Sequence, residues 1–103
     1  MKLIIQIPCY NEAETLEIAL NALPKKIDGI DEIEVLIIND GSSDNTVEVA
    51  QKWGVNYIVN FTNNKGLARG FMAGLDRCIK EGADIIVNTD ADNQYEADDI
   101  KHL

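Results

Sequence analysis

Histidine and cysteine are nearly missing from this chain. The single histidine, His102, is the penultimate residue, and the two cysteines, Cys9 and Cys78, lie far apart. That scarcity excludes a Ser-His-Asp or Cys-His hydrolytic centre, a zinc site of Cys and His ligands, and a disulfide framework. The cysteines are expected instead as small buried hydrophobes in a reducing compartment. Basic residues are also few. Nine Lys and Arg stand against 18 Asp and Glu, a formal charge of −9, which disfavours nucleic acid and anionic membrane surfaces as partners. No apolar run approaches the ~20 residues of a membrane span. The opening MKLIIQIPCYNE turns polar too early for a secretory leader. A cytoplasmic chain of one small domain is expected from 103 residues, 46% of them hydrophobic.

What is present is an alternation. Apolar, β-rich runs occupy Leu3–Pro8, Glu34–Asn39, Tyr57–Phe61 and Asp84–Asn88. Stretches such as LIIQI, VLII and DIIV are apolar at consecutive positions, as strands covered on both faces require. Between them the period changes. Leu16, Ala19, Leu20 and Leu23 fall at helical spacing, as do Leu67, Phe71, Leu75, Cys78 and Ile79, with a weaker stripe at Val47, Ala50 and Trp53. Asn11 with Glu14 predicts a capping box for the first helix, the Ser42–Asp44 cluster predicts a cap for the second, and Gly54 and Gly82 stand at expected helix stops. The order β-α-β-α-β-α-β predicts an α/β, Rossmann-like wound parallel sheet with strand order 3-2-1-4. Asp98–Leu103 reads as the first turn of a fourth helix, cut short.

In such sheets ligands bind beyond the carboxyl ends of the strands, best where the strand order reverses. Those ends carry PCYNE (8–12), NDGSSDN (39–45), NFTNNKG (60–66) and NTDADNQY (88–95). Asp90 and Asp92 are one residue apart, with Gln94 at the same spacing. In an extended segment such residues point the same way and can face one ion. Oxygen ligands without a neighbouring His or Cys suit Mg2+ or Mn2+, the remaining positions being open to diphosphate oxygens. An EF-hand loop starting at Asp90 is excluded, because its obligatory glycine is Tyr95 and its twelfth residue is Lys101. Asp40 at the rim can accept hydrogen bonds from a nucleobase, and Tyr10 can stack on one. Lys65, Gly66 and Arg69 open the third helix, where cations beside free N–H groups favour a phosphate.

Four segments, IPCYNEAETL (7–16), IINDGSSDNT (37–46), NNKGLARGFMAG (63–74) and NTDADNQY (88–95), together resemble the nucleotide-sugar-binding half of inverting family 2 glycosyltransferases of the GT-A fold. The D-A-D-x-Q form of Asp90, Asp92 and Gln94 is most similar to the branch with dolichol-phosphate mannose synthase and bacterial polyprenyl-phosphate sugar transferases. Tyr95-Glu96-Ala97 replaces the proline-containing stretch usual there. The resemblance implies that Pro8, Tyr10, Glu12 and Asp40 line the base and ribose pocket of a UDP- or GDP-sugar, and that Gly66 and Arg69 border the nucleotide. It assigns the metal to Asp92, the catalytic ligand, with Asp90 and Gln94 joining it or the ribose. It also implies a lipid-phosphate acceptor as one option, with the acceptor site beyond this stretch of sequence.

Two other readings are open. A nucleotidyltransferase can use a related sheet and a metal, but calls for a glycine-rich basic loop after the first strand, where this chain has PCYNEAE. A non-enzymatic receiver-type signalling domain calls for a phospho-accepting Asp after the third strand, where the chain has Asn60-Phe61-Thr62. Finally, the fourth strand, with few charges around Ile85–Val87, predicts an open edge and self-association.

Overall fold

The computed structural model describes residues 1–61 and 67–89, with the side chains of Leu67 and Ala68 excepted. The expected fourth helical turn at 98–103 lies outside them. The elements run β1 (Lys2–Cys9), α1 (Ala13–Asn21), β2 (Glu32–Asp40), α2 (Thr46–Trp53), β3 (Tyr57–Phe61), α3 (Leu67–Lys80) and β4 (Ile85–Asn88). All pairings are parallel and the order is β3-β2-β1-β4, the topology expected from the sequence. Thr89 extends the ladder, its N–H donating to the Gln6 carbonyl at 3.1 Å.

Strand alternation sorts the side chains into two layers. Leu3, Ile5, Ile7 and Cys9 of β1, with Val35 and Ile37 of β2, face α1 and α2, where Leu16, Leu20 and Ala50 meet them. Ile4, Leu36 and Ile38 face α3 and meet Cys78. This double coverage is why the strands read as continuous apolar runs. Each fully buried Ile or Leu contributes about 1.5–3 kcal/mol, so the central pair β1 and β2 dominates stability.

The structure corrects two helical stripes. On α3, Phe71 and Ile79 are exposed, Ile79 at 68%. The face on the sheet is Gly70, Gly74 and Cys78, all buried. A Cβ at Gly74 would lie 2.5 Å from the Gln6 amide and 2.6 Å from Ile38 Cδ1, and one at Gly70 would lie 3.2 Å from Ile38 Cγ2. Glycine at both places lets the helix backbone rest directly on β1 and β2. Trp53, at the end of α2, stays partly exposed, with its indole N–H donating to Asn21 Oδ1 at 2.9 Å.

Among the described residues, no helix is long and apolar enough to cross a membrane.

Candidate functional site

The reversal of strand order falls between β1 and β2 on one side and β4 on the other, so the rim beyond β1 is where a ligand crevice opens. Cys9 is level with Asn39 and Pro8 with Ile38. Pro8 and Asp40 share their parity with Ile4, Gln6 and Ile38 and so belong to the α3 layer. Asp40 is 9% exposed, at the last position of β2. Tyr10 follows β1 directly and is 49% exposed, leaving its ring accessible to a partner. Arg69 is exposed in the first turn of α3, next to Gly70, whose backbone sits on Ile38. The structure thus brings Pro8, Tyr10, Glu12, Asp40 and Arg69 to one rim. Lys65, Gly66, Asp90, Asp92 and Gln94 lie outside the described residues.

Local chemistry at this rim bears out the cap expected of the Ser42–Asp44 cluster, through Asp44 at the start of α2, but not the one expected of Asn11. Asn11 does not cap α1: Glu12 occupies the N-cap, and no side chain of α1's own cap closes it. The second helix has Asn45 at its N-cap, again with no bond from the cap residue's side chain. The start of α1 is capped from the start of α2 instead. Glu12 N–H donates to Thr46 Oγ1 at 3.1 Å, and Ala13 N–H donates to Asp44 Oδ2 at 3.2 Å. Asp44 Oδ1 accepts the Thr46 N–H at 3.0 Å and also the Thr46 hydroxyl. One carboxylate therefore serves the starts of both α1 and α2. The Thr46 hydroxyl, then the N–H groups of Ala13 and Thr46, hold the Asp44 carboxyl below its usual range.

Two further devices escaped sequence reasoning. Asn39 Nδ2 donates to Asn60 Oδ1 at 3.1 Å, while Asn39 Oδ1 accepts the Ser42 N–H at 3.0 Å, so β3 and the turn after β2 are tied together. Asparagine at strand ends was the available signal, but only the register shows which two meet. Gln6 lies fully buried, its Nε2 donating to the Phe71 carbonyl at 3.4 Å, and anchors α3 beneath the rim.

The rim is electronegative. Burial first, then the Glu12 and Asp44 carboxylates, push the Cys9 thiol up to about 12, which makes it unreactive as a nucleophile. A diphosphate brought here needs compensating positive charge, from Arg69 or from a cation. Among the described residues no three acidic, His or Cys side chains gather as a metal cage.

A cavity of about 190 Å³ lies at the other end of the sheet, between Leu20, Leu23, Ile33, Val35 and Trp53. Its walls are mainly apolar, and it is remote from the convergent polar groups, so it is a seam of the α1–α2 layer rather than the site.

The sequence matches the Glycosyl transferase family 2 domain over residues 4–103. The chain belongs to that family. It is 29% identical, over its whole length, to the undecaprenyl-phosphate mannosyltransferase of Micrococcus luteus, of which it spans 43%. It is 37% identical over 93% of its length to the poly-beta-1,6-N-acetyl-D-glucosamine synthase of Staphylococcus aureus, spanning 24% of that protein. Among solved structures, S. aureus TarS in complex with UDP-GlcNAc superposes with a TM-score of 0.78 at 22% identity, over 99% of this chain and 30% of the other. Mannosyltransferase PcManGT from Pyrobaculum calidifontis, in complex with GDP-Man and Mn2+, superposes with a TM-score of 0.66 at 25% identity, over 87% and 27%. The family 2 chain thus shares the GT-A fold and spans less than half the length of these relatives.

Proposed function

We propose that residues 1–103 form the nucleotide-sugar-binding part of an inverting GT-A glycosyltransferase. The observation that carries this reading is the placement of Pro8, Tyr10, Glu12, Asp40 and Arg69 on one rim, at the reversal of strand order, in a family 2 chain. In this reading Tyr10 stacks on the base, and the Asp40 carboxylate accepts a hydrogen bond from a ring N–H such as uracil or guanine offers. Glu12 and Pro8 line the ribose, while Lys65, Gly66 and Arg69 face the diphosphate. A divalent ion, Mg2+ or Mn2+, held by Asp90, Asp92 and Gln94 supplies Lewis-acid charge neutralisation to the departing diphosphate when bound. The donor set is all oxygen, as such hard cations require, and the electronegative rim favours a cation. A GDP-Man and Mn2+ complex of a structural neighbour supports the same pairing.

The acceptor attacks the anomeric carbon from the face opposite the nucleotide, and inversion follows. We take a lipid phosphate as the acceptor, a choice supported by the D-A-D-x-Q pattern and by the undecaprenyl-phosphate mannosyltransferase relative. Such an acceptor is already anionic and needs little help from a base. Acceptor-binding groups belong, in this reading, to the portion of the relatives that the chain does not span. The free cysteines Cys9 and Cys78 accord with a cytoplasmic location.

Calorimetry with UDP and GDP, with and without Mn2+, tests the reading. Weak, metal-dependent binding of one of them is expected. Asp92→Asn should remove most of the metal dependence, whereas Asp40→Ala should weaken binding and leave that dependence in place. Equal binding with and without the ion would overturn the metal assignment, and no binding of either nucleotide would overturn the function.

A further inference from the structure

Asn11 is the one non-glycine residue with a left-handed backbone among those described, at φ 53°. Asparagine tolerates this region better than most residues, but a residue held there generally answers to some constraint. The usual local constraint, capping its own helix, does not apply, since Glu12 is the N-cap of α1. What Asn11 does instead is reach across to the turn after β2. Its N–H donates to Ser42 Oγ at 3.0 Å. Its Oδ1 accepts the Ser43 N–H at 2.8 Å, the Asp44 N–H at 3.3 Å and the Ser43 hydroxyl at 3.3 Å. Three donors saturate one amide oxygen. These contacts join segments more than 30 residues apart, and they flank the residues assigned to the nucleotide. Tyr10 and Glu12 are its chain neighbours, and Asp40 precedes Ser42 by two positions.

We propose that Asn11 is a positioning residue for the nucleotide: its left-handed turn and its amide oxygen lock Tyr10–Glu12 to Ser42–Asp44, setting the Tyr10 ring and the Asp40 carboxylate in one arrangement before the ligand arrives. The inference rests on the nucleotide reading of this rim. Its physical basis is preorganisation, because a ligand meeting two loops already joined does not bear the cost of ordering them. The arrangement also explains the backbone. With φ negative at Asn11 the chain would enter α1 on a different path, and the N–H groups of residues 11, 12 and 13 would not all turn toward Ser42, Thr46 and Asp44.

The test is calorimetry with UDP and GDP in Mn2+ on the 103-residue chain and on two variants. Asn11→Gly keeps the left-handed turn available and removes the oxygen, and is expected to bind about tenfold more weakly. Asn11→Asp keeps an acceptor oxygen toward the same three donors and should stay within about threefold of the wild type. A purely structural residue would lower the melting temperature in both variants without this split in affinity. If the wild type binds neither nucleotide, the functional reading fails and this inference fails with it. If the wild type binds and Asn11→Gly binds equally well, or if Asn11→Asp is as weak as Asn11→Gly, only the inference is overturned. Should Asn11→Gly not fold by circular dichroism, Ser42→Ala removes the acceptor of the Asn11 N–H alone. It should weaken binding about threefold, and unchanged affinity would overturn the proposal.

Discussion

Gly74→Ala is the sharpest perturbation the fold offers, because a single methyl group is added where α3 rests on the sheet. Its Cβ would lie 2.5 Å from Gln6 Cδ and Oε1 and 2.6 Å from Ile38 Cδ1, while non-bonded carbons prefer about 3.5–4.0 Å. Something must move by about 1 Å. Gln6 is 1% exposed, and its amide meets the Phe71 carbonyl and the Cys78 thiol. Swinging it aside strands a buried amide, at a cost of about 1–3 kcal/mol. Lifting α3 instead opens the seam along Gly70, Gly74 and Cys78, and overpacking of this kind costs about 1–3 kcal/mol. Against either stands a gain of about 1 kcal/mol from replacing glycine by alanine in a helix. The balance is a loss of up to about 2 kcal/mol, a fall in melting temperature of up to roughly 15 °C for a domain of this size. Differential scanning calorimetry reads it directly. Gly70→Ala is the control, since its Cβ would be 3.2 Å from one Ile38 methyl and should cost far less. Adding Gln6→Ala should rescue Gly74→Ala in part, giving a coupling of about 1 kcal/mol in a double-mutant cycle. A Gly74→Ala protein more stable than the wild type, or strict additivity with Gln6→Ala, would refute the close-packed seam.

Further expectations concern the rim and the sheet edge. Asp44→Ala removes the acceptor for the Ala13 and Thr46 N–H groups together, so denaturant titration should show a loss of about 1–2 kcal/mol. Because the Asp44 carboxyl is held below the ordinary 3.8 of an aspartate, its contribution is complete above that pH and disappears as the pH falls through the depressed value. The wild type should therefore lose stability in acid more steeply than Asp44→Asn. Cys9 behaves oppositely: its thiol is raised from 9.0 to about 12, so its stabilising effect is full below pH 9 and is lost on the way to 12. Stability should fall by up to about 1.4 kcal/mol per pH unit from this group, and Cys9→Ser should flatten that alkaline slope. Among the described residues β4 is paired only with β1, and we expect concentration-dependent association through it. Light scattering that shows one monomeric species at high concentration would count against that edge, as would an Ile85→Lys variant that associates as readily as the wild type.

How much of this was legible beforehand differs from residue to residue. Strand order followed from connectivity, since right-handed crossovers and short loops leave few ways to wind four strands, and β3-β2-β1-β4 is one of them. The apolar runs of β1 and β2 declared themselves because burial on both faces removes polar alternation. On α3 the expected Cys78 is buried but Phe71 and Ile79 are not, for a complementary reason. Glycine carries no hydropathy, so Gly70 and Gly74 left no stripe, and the visible pattern of Phe71 and Ile79 pointed to the side that is in fact exposed. Hydropathy reports what a side chain can bury, not where the absence of one allows backbones to meet. Pro8, Tyr10, Glu12 and Asp40 could be gathered by reading strand ends alone. The roles of Asp90, Asp92 and Gln94 rest on spacing and resemblance.

The capping error has a wider physical meaning. Sequence rules for helix starts assume that a polar side chain satisfies N–H groups of its own helix, because only neighbours in sequence are visible. In a parallel sheet the loops leaving adjacent strands emerge side by side, and the nearest acceptor for a free N–H belongs as readily to the next loop. Here Asp44 and Thr46 of the α2 start satisfy the Glu12 and Ala13 N–H groups of the α1 start. The outlay in backbone ordering is then shared, since neither loop reaches its final form without the other. A rim made this way gains rigidity from contacts with large sequence separation, and it loses that rigidity all at once. Removing Asp44 should therefore loosen Tyr10 and Asp40 together, whereas a locally capped rim would let the two loops respond separately. Amide exchange at residues 11–13 and 42–46 distinguishes these cases: concerted loss of protection in Asp44→Ala supports the shared caps, and loss confined to residues 44–46 refutes them.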